Sequence, residues 1–76
     1  MNNIRRKALQ KLASKIEEIV DELSELSAEE TEAADAVPEC FENRREEMEE
    51  NAEYIDNAVD ELSAAIDELY QIEGVA

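Results

Sequence analysis

The chain has 76 residues, a formal net charge of −15, one glycine, one proline, one cysteine and no histidine. That length allows one domain at most, and so little glycine and proline excludes a β-rich fold with many tight turns. The lone Cys40 and the missing histidines exclude an internal disulfide and a structural zinc site, so a domain this small is expected to draw its stability from a partner chain.

The charge is unevenly placed. Residues 1–15 carry Arg5, Arg6, Lys7, Lys11 and Lys15 and no acid, whereas the rest carries all 22 acids and only Arg44 and Arg45. A field of that sign repels nucleic-acid backbones and anionic lipid and attracts basic proteins. Direct nucleic-acid binding and membrane association are therefore not expected. No run approaches the roughly 20 apolar residues of a membrane span. The amphipathic start lacks the apolar stretch of a signal peptide. A cytoplasmic location is the expectation, and a free cysteine agrees with a reducing compartment.

The first helix is expected over about residues 3–36, capped by Asn2 or Asn3. Apolar residues recur at Ile4, Ala8, Leu12, Ile16, Ile19, Leu23 and Leu26 in steps of four and three, which is a helical period. Written as heptads, one row is Leu9, Ile16, Leu23, Glu30 and Val37, and its companion is Leu12, Ile19, Leu26 and Ala33. Both rows are expected in the seam. Ser27-Ala28-Glu29-Glu30 also spells a capping box, so a bend near Ser27 is compatible with the pattern, although one long helix is favoured.

Val37-Pro38 ends this helix, because proline pushes its predecessor out of the helical region. The turn is expected over about residues 37–42, with a helical turn at Pro38 to Phe41 tucking Phe41 over the end of the hairpin. Asn43 is expected to cap the second helix, over about residues 43–73, by accepting from the amide of Glu46. Phe41, Met48, Ile55, Leu62 and Leu69 are spaced by seven. Ala52, Val59 and Ile66 form a second row and Ala58, Ala65 and Ile72 a third. Gly74 suits a left-handed stop, with Val75 folding back.

Two helices of about 50 Å joined by so short a turn are antiparallel neighbours. The fold expected is all-α, an antiparallel helical hairpin that assembles into a helical bundle by oligomerisation. The spare row of the second helix, with small Ala58 and Ala65, is expected to receive another hairpin. In this hairpin the basic start of the first helix lies beside Asp67, Glu68 and Glu73, and Arg44 and Arg45 lie near Glu29, Glu30 and Glu32.

Catalysis has little to stand on. There is no histidine, no glycine-rich phosphate loop, no Glu-x-x-His pair for a di-iron site and no calcium loop with a central glycine. The chain is read as non-enzymatic, with no cofactor or metal.

Three groups of residues are candidates for binding. Arg5, Arg6, Lys7 and Lys11 converge on a helix N-terminus, where free amides and guanidinium groups hold a phosphate. The same residues equally serve to balance the acidic end of the second helix. Positive charge in a first turn opposes the helix dipole, which favours a nearby anion. The second group is the acidic surface of the second helix from Glu46 to Glu68. Its carboxylates either mimic a phosphate backbone or simply keep the helix soluble. The third is Tyr54, which falls outside the seams and is flanked by Glu53 and Asp56, an aromatic contact anchor among acids or a ring leaning on a neighbouring helix. Cys40 has no base beside it and is not expected to act as a nucleophile.

The segments Ile4-Arg5-Arg6-Lys7-Ala8-Leu9, Ala34-Asp35-Ala36-Val37-Pro38-Glu39 and Met48-Glu49-Glu50, the last leading into the Ile55-to-Leu69 heptads, carry a resemblance that spans most of the chain. In these segments the chain resembles small acidic helical-hairpin proteins of phage and prophage genomes of Gram-positive bacteria. It departs from them after the proline, where Asn43-Arg44-Arg45-Glu46 stands in place of Ser-x-Arg-Gly. What the resemblance implies is a setting, the bacterial host cytoplasm, in which small phage proteins oppose host defences. The function expected is an oligomeric binding protein that sequesters a small nucleotide immune signal, such as a cyclic oligonucleotide. Its phosphates would be held by Arg5, Arg6, Lys7, Arg44 and Arg45 where subunits meet. The alternatives are an acidic decoy that inhibits a basic host protein through Tyr54, Glu50 and Glu53, and a structural coiled coil without a ligand.

Overall fold

The computed structural model describes residues 1–76 and is an antiparallel pair of helices, 59 Å long and 14 by 12 Å across. Helix α1 spans Asn3–Asp35 and helix α2 spans Glu42–Tyr70, with a short 3-10 turn at Glu39–Phe41 between them. The hairpin expected from the heptads is present.

Helix α1 starts where the Asn2 side chain accepts from the Arg5 amide at 2.9 Å, one of the four amides a helix start leaves unpaired. It then runs without a break through Ser27. The hydroxyl of Ser27 does not cap a helix. It is buried and turns across the hairpin to the Asp56 carboxylate and the Ala52 carbonyl, the latter at 3.3 Å.

The turn differs from expectation in two ways. Asn43 does not cap α2. The 3-10 turn runs straight on, with Glu42 already helical at φ −54 and ψ −42, so Asn43 lies inside the helix rather than in the extended conformation a cap needs. Phe41 occupies the cap position without a side-chain bond and remains 57% exposed instead of covering the hairpin end. Arg45 fills that place. Its Nε donates to the Ala34 carbonyl at 3.3 Å and its Nη2 to the Val37 carbonyl at 2.7 Å.

The largest correction concerns the seam. On α1 the residues turned toward α2 are Arg6, Ala13, Val20, Ser27 and Ala34, again one per heptad. Ala13 and Ala34 are fully buried. The row Leu9, Ile16, Leu23, Glu30 and Val37 is half-buried beside them. The expected companion row is not in the seam: Leu12, Ile19 and Leu26 are 51%, 47% and 52% exposed. On α2 the matching seam row is Arg45, Ala52, Val59 and Ile66, of which Ala52 and Ile66 are buried. Ser27 against Ala52 and Ala34 against Arg45 fix the register, which sets Val20 level with Val59 and Ala13 level with Ile66. Small side chains let the two backbones approach closely, and large ones are displaced to the flanks.

Both flanking apolar rows fall on one side of the seam. At about 100° per residue, the three α1 rows lie about 40° and 60° apart in the order Ala13, Leu9, Leu12. On α2 the order is Ala52, Met48, Ala58. Antiparallel packing of two right-handed helices turns both progressions the same way. The opposite side is polar, as the Tyr70 hydroxyl on Glu17 and the Ser27 hydroxyl on Asp56 confirm. The hairpin thus has one apolar face and one polar face.

Helix α2 stops at Tyr70, three residues before the expected end, and the remaining chain folds back over the start of α1. Gly74 takes φ +84, Val75 donates its amide to the Ile72 carbonyl, and the Val75 side chain is buried at 2% exposure. Gln10 donates from Nε2 to the Gly74 carbonyl at 2.9 Å. Arg6 lies across Gly74 so closely that a Cβ there would stand 2.9 Å from its Cδ.

No helix is long and apolar enough to cross a membrane. The close seam makes a direct prediction. Ala13→Leu should lower the free energy of unfolding by about 1–3 kcal/mol, because the seam has no room to take three more carbons. Ala28→Leu, on the exposed side of α1, should change it by less than about 0.5 kcal/mol. Chemical denaturation followed by circular dichroism compares the two.

Candidate binding surfaces

The five cations expected to hold phosphate are split between the two ends of a 59 Å rod. At one end Arg5 and Lys7 are exposed, and the first turn of α1 contains no acid. Arg6 is different. Its guanidinium leans on Gly74, Nη1 reaches Asn3 Oδ1 at 3.4 Å, and Nε is enclosed without a hydrogen-bond partner. Its aliphatic stem and part of its head serve to close the fold-back.

At the other end Arg45 is committed to α1. The last carbonyls of a helix have no partner of their own, and the negative end of the dipole favours a cation. Arg45 meets both requirements at Val37, whose carbonyl has no backbone donor, and shares the Ala34 carbonyl with the Val37 amide. Its bonds go to these carbonyls rather than to Glu29, Glu30 or Glu32, the neighbours expected from the sequence. Arg44 remains exposed, in a shallow depression shared with Glu39, Glu42 and Glu47. Arg45 faces a second depression whose other members are Glu39, Glu42, Glu46 and Glu49. Carboxylates outnumber arginines in both, so the local field opposes a phosphate there.

Tyr54 is held out from the hairpin. The ring is 64% exposed and the hydroxyl donates to Glu50 Oε1 at 3.2 Å, one turn back. The helical repeat places Glu47 and Glu61 one heptad to either side, and Glu53 precedes it directly. The hydrogen bond to Glu50, with the negative charges of Glu50 and Glu53, raises the phenol above its ordinary pKa of 10.0. The result is an aromatic ring fixed in a field of carboxylates on the outer side of α2. No three carboxylate or thiol side chains are grouped to hold a metal ion. Cys40 is exposed at the hairpin tip.

Tyr70 follows Ile66 by one helical turn, at the border of the apolar stripe. It lies half-buried at the seam and donates to the Glu17 carboxylate of α1. That hydrogen bond is the main cause of its raised pKa. The spacing of the sequence carries no signal for this cross-helix pair.

No protein-family model, curated protein or solved structure matches the chain.

Two predictions follow from these partners. Arg45→Gln should destabilise the hairpin by about 1–2 kcal/mol through loss of charged hydrogen bonds to the α1 end, with faster amide exchange at Ala36 and Val37. The tyrosines give a pH dependence. A raised pKa means the folded state holds the phenol proton more firmly. The associated stability is therefore complete below pH 10 and is lost as pH rises through the raised values. Phenolate absorbance should titrate above pH 10.0, the ordinary value for both groups. Glu17→Gln should return the Tyr70 component toward that value.

Proposed function

We propose that the protein is a non-catalytic, self-associating acidic binding protein, and that its partner is a basic protein surface engaged by the Tyr54 ridge of α2. The observation that carries this reading is the Tyr54 ring, exposed yet pinned by Glu50 and bordered by Glu47, Glu53 and Glu61. A fixed aromatic ring loses little entropy on contact, and a ring of carboxylates steers and orients a cationic partner. Self-association is supported by the apolar face of the hairpin, which one chain leaves open. The resemblance to phage proteins supports a partner among the defence proteins of a bacterial host, met in its cytoplasm.

Sequestration of a nucleotide signal is the second reading. It is favoured by one observation, the exposed Arg5 and Lys7 in a first helical turn free of acids. Against it stand the structural engagement of Arg6 and Arg45 and the glutamates around Arg44. A structural coiled coil would bind only itself.

Affinity capture from a bacterial lysate, with the wild type and charge-reversed variants side by side, tests these readings. The wild type should retain a basic protein at low salt and release it at high salt. Tyr54→Ala should weaken that binding by about 2 kcal/mol, and Glu50→Lys with Glu53→Lys should abolish it. Retention unaffected by all three substitutions would overturn the proposal. Native mass spectrometry with added cyclic dinucleotides gives the second arm. A bound nucleotide that is lost on Arg5→Glu would favour the signal-sequestering reading instead.

A further inference from the structure

The apolar face of the hairpin is too large and too regular to be left in water. The chain exposes 5820 Å², whereas a compact monomer of 8.6 kDa exposes about 4,700 Å² by size scaling. The surplus, roughly 1,100 Å², is comparable to the roughly 800 Å² per partner of a standard stable interface. The face is built from Leu12, Ile19 and Leu26 on α1 and the half-buried Met48, Ile55 and Leu62 on α2.

The charges of α1 identify what covers it. Every cation of α1 lies in residues 5–15 and every acid in residues 17–35, so the boundary between the two blocks falls at Ile16, one helical turn before Ile19. Leu12 and Leu26 stand seven residues to either side of Ile19. A second α1 running antiparallel, with a twofold axis at Ile19, therefore sets Leu12 against Leu26 of the second copy. The same operation brings Lys15 beside Glu22 of that copy, a pair that occurs twice. The same twofold axis also acts on α2. The register of the hairpin then sets Leu62 opposite Ala58 and Ile55 opposite Ala65 of the second copy, large side chains into small ones. That row of alanines is the one the sequence offered for packing against another hairpin.

We propose that two copies of this chain form a four-helix bundle in which α1 packs antiparallel on α1, α2 packs on α2, and the twofold axis passes beside Ile19. The proposal rests on the self-association put forward above and fixes its geometry. It is isologous, so the apolar face is closed and cannot propagate into a filament. It keeps the polar face of the hairpin in water.

Cysteine cross-linking of the full chain in a Cys40→Ser background is the test, with copper phenanthroline and oxygen as oxidant. Ile19→Cys should form a disulfide-linked dimer with itself. Leu12→Cys and Leu26→Cys should each fail to do so alone, yet link to one another when the two variants are mixed. These positions are about half exposed in the single hairpin, so the substitutions leave its fold intact, and circular dichroism checks that they do. Sedimentation equilibrium of the reduced protein gives an independent readout. Lys15→Glu should raise the dimer dissociation constant by roughly tenfold, since it creates two like-charge contacts. Adding Glu22→Lys should restore it. A dimer by sedimentation in which Ile19→Cys stays unlinked, or Leu12→Cys links to itself, overturns the geometry alone. A monomer by sedimentation overturns the self-association as well.

Discussion

The structure depends on how closely α1 and α2 approach. Ala13, Ser27 and Ala34 of α1 and Ala52 and Ile66 of α2 lie along one line, and four of these five buried seam residues are small. Close approach gives good van der Waals contact between backbones. It removes little apolar surface, because alanine has little to remove. The larger residues, Leu9, Ile16 and Leu23 with Ile55, Leu62 and Leu69, are consequently only half covered. A two-helix rod with six buried residues of 76 cannot offset the entropy of ordering its chain from this seam alone.

Polar groups then decide which register the small seam takes. Alanines alone would allow a slip by one heptad at little cost. Ser27 does not allow it, because a buried hydroxyl needs a partner and finds Asp56 and Ala52 in one alignment only. Arg45 repeats the requirement at the turn, and Tyr70 with Glu17 repeats it toward the other end. The fold-back of Gly74 and Val75 completes the series. The carbonyl of Gly74 is held by Gln10 and its α-carbon is covered by Arg6, so the positive φ of Gly74 serves a contact with α1 rather than a helix stop. Four cross-helix anchors spread over about 50 Å specify the hairpin more than they stabilise it.

Helix number, direction, the Pro38 turn and the continuity of α1 through Ser27 were legible from periodicity and punctuation. The seam was legible only in half. Three adjacent rows of α1 are compatible with burial, and hydrophobicity ranks Leu12, Ile19 and Leu26 above Arg6, Ala13, Ser27 and Ala34. Packing ranks them the other way, because distance between helices is set by side-chain size and a pattern of hydrophobicity contains no distance. Phe41 and Asn43 were misplaced for a related reason. A heptad position and a capping preference are local properties, whereas the place at the hairpin tip is taken by Arg45 from one turn further on. Among the candidate binding residues, the exposure of Tyr54 was legible from its position outside the rows. The division of the five cations into engaged Arg6 and Arg45 and free Arg5, Lys7 and Arg44 was not, because it depends on which carbonyls the turn leaves open.

The acidity of the chain gains a physical meaning from this arrangement. Burying an apolar face against a second copy doubles the net charge of the particle, and like charge on so narrow a rod opposes association. The opposition is smallest where cations are available, and the only ones outside the turn lie in the first half of α1. That helix is where self-contact is least costly. Helix α2 carries acids along its length and keeps them turned away from the seam, and its contribution to a closed bundle is apolar. The outer side of α2, with Tyr54 at its centre, stays strongly negative and borders the α2 contact of the proposed bundle as Lys15 and Glu22 border the α1 contact. On the reading proposed above, the surface offered to a basic partner follows from the same charge distribution that would direct assembly through α1.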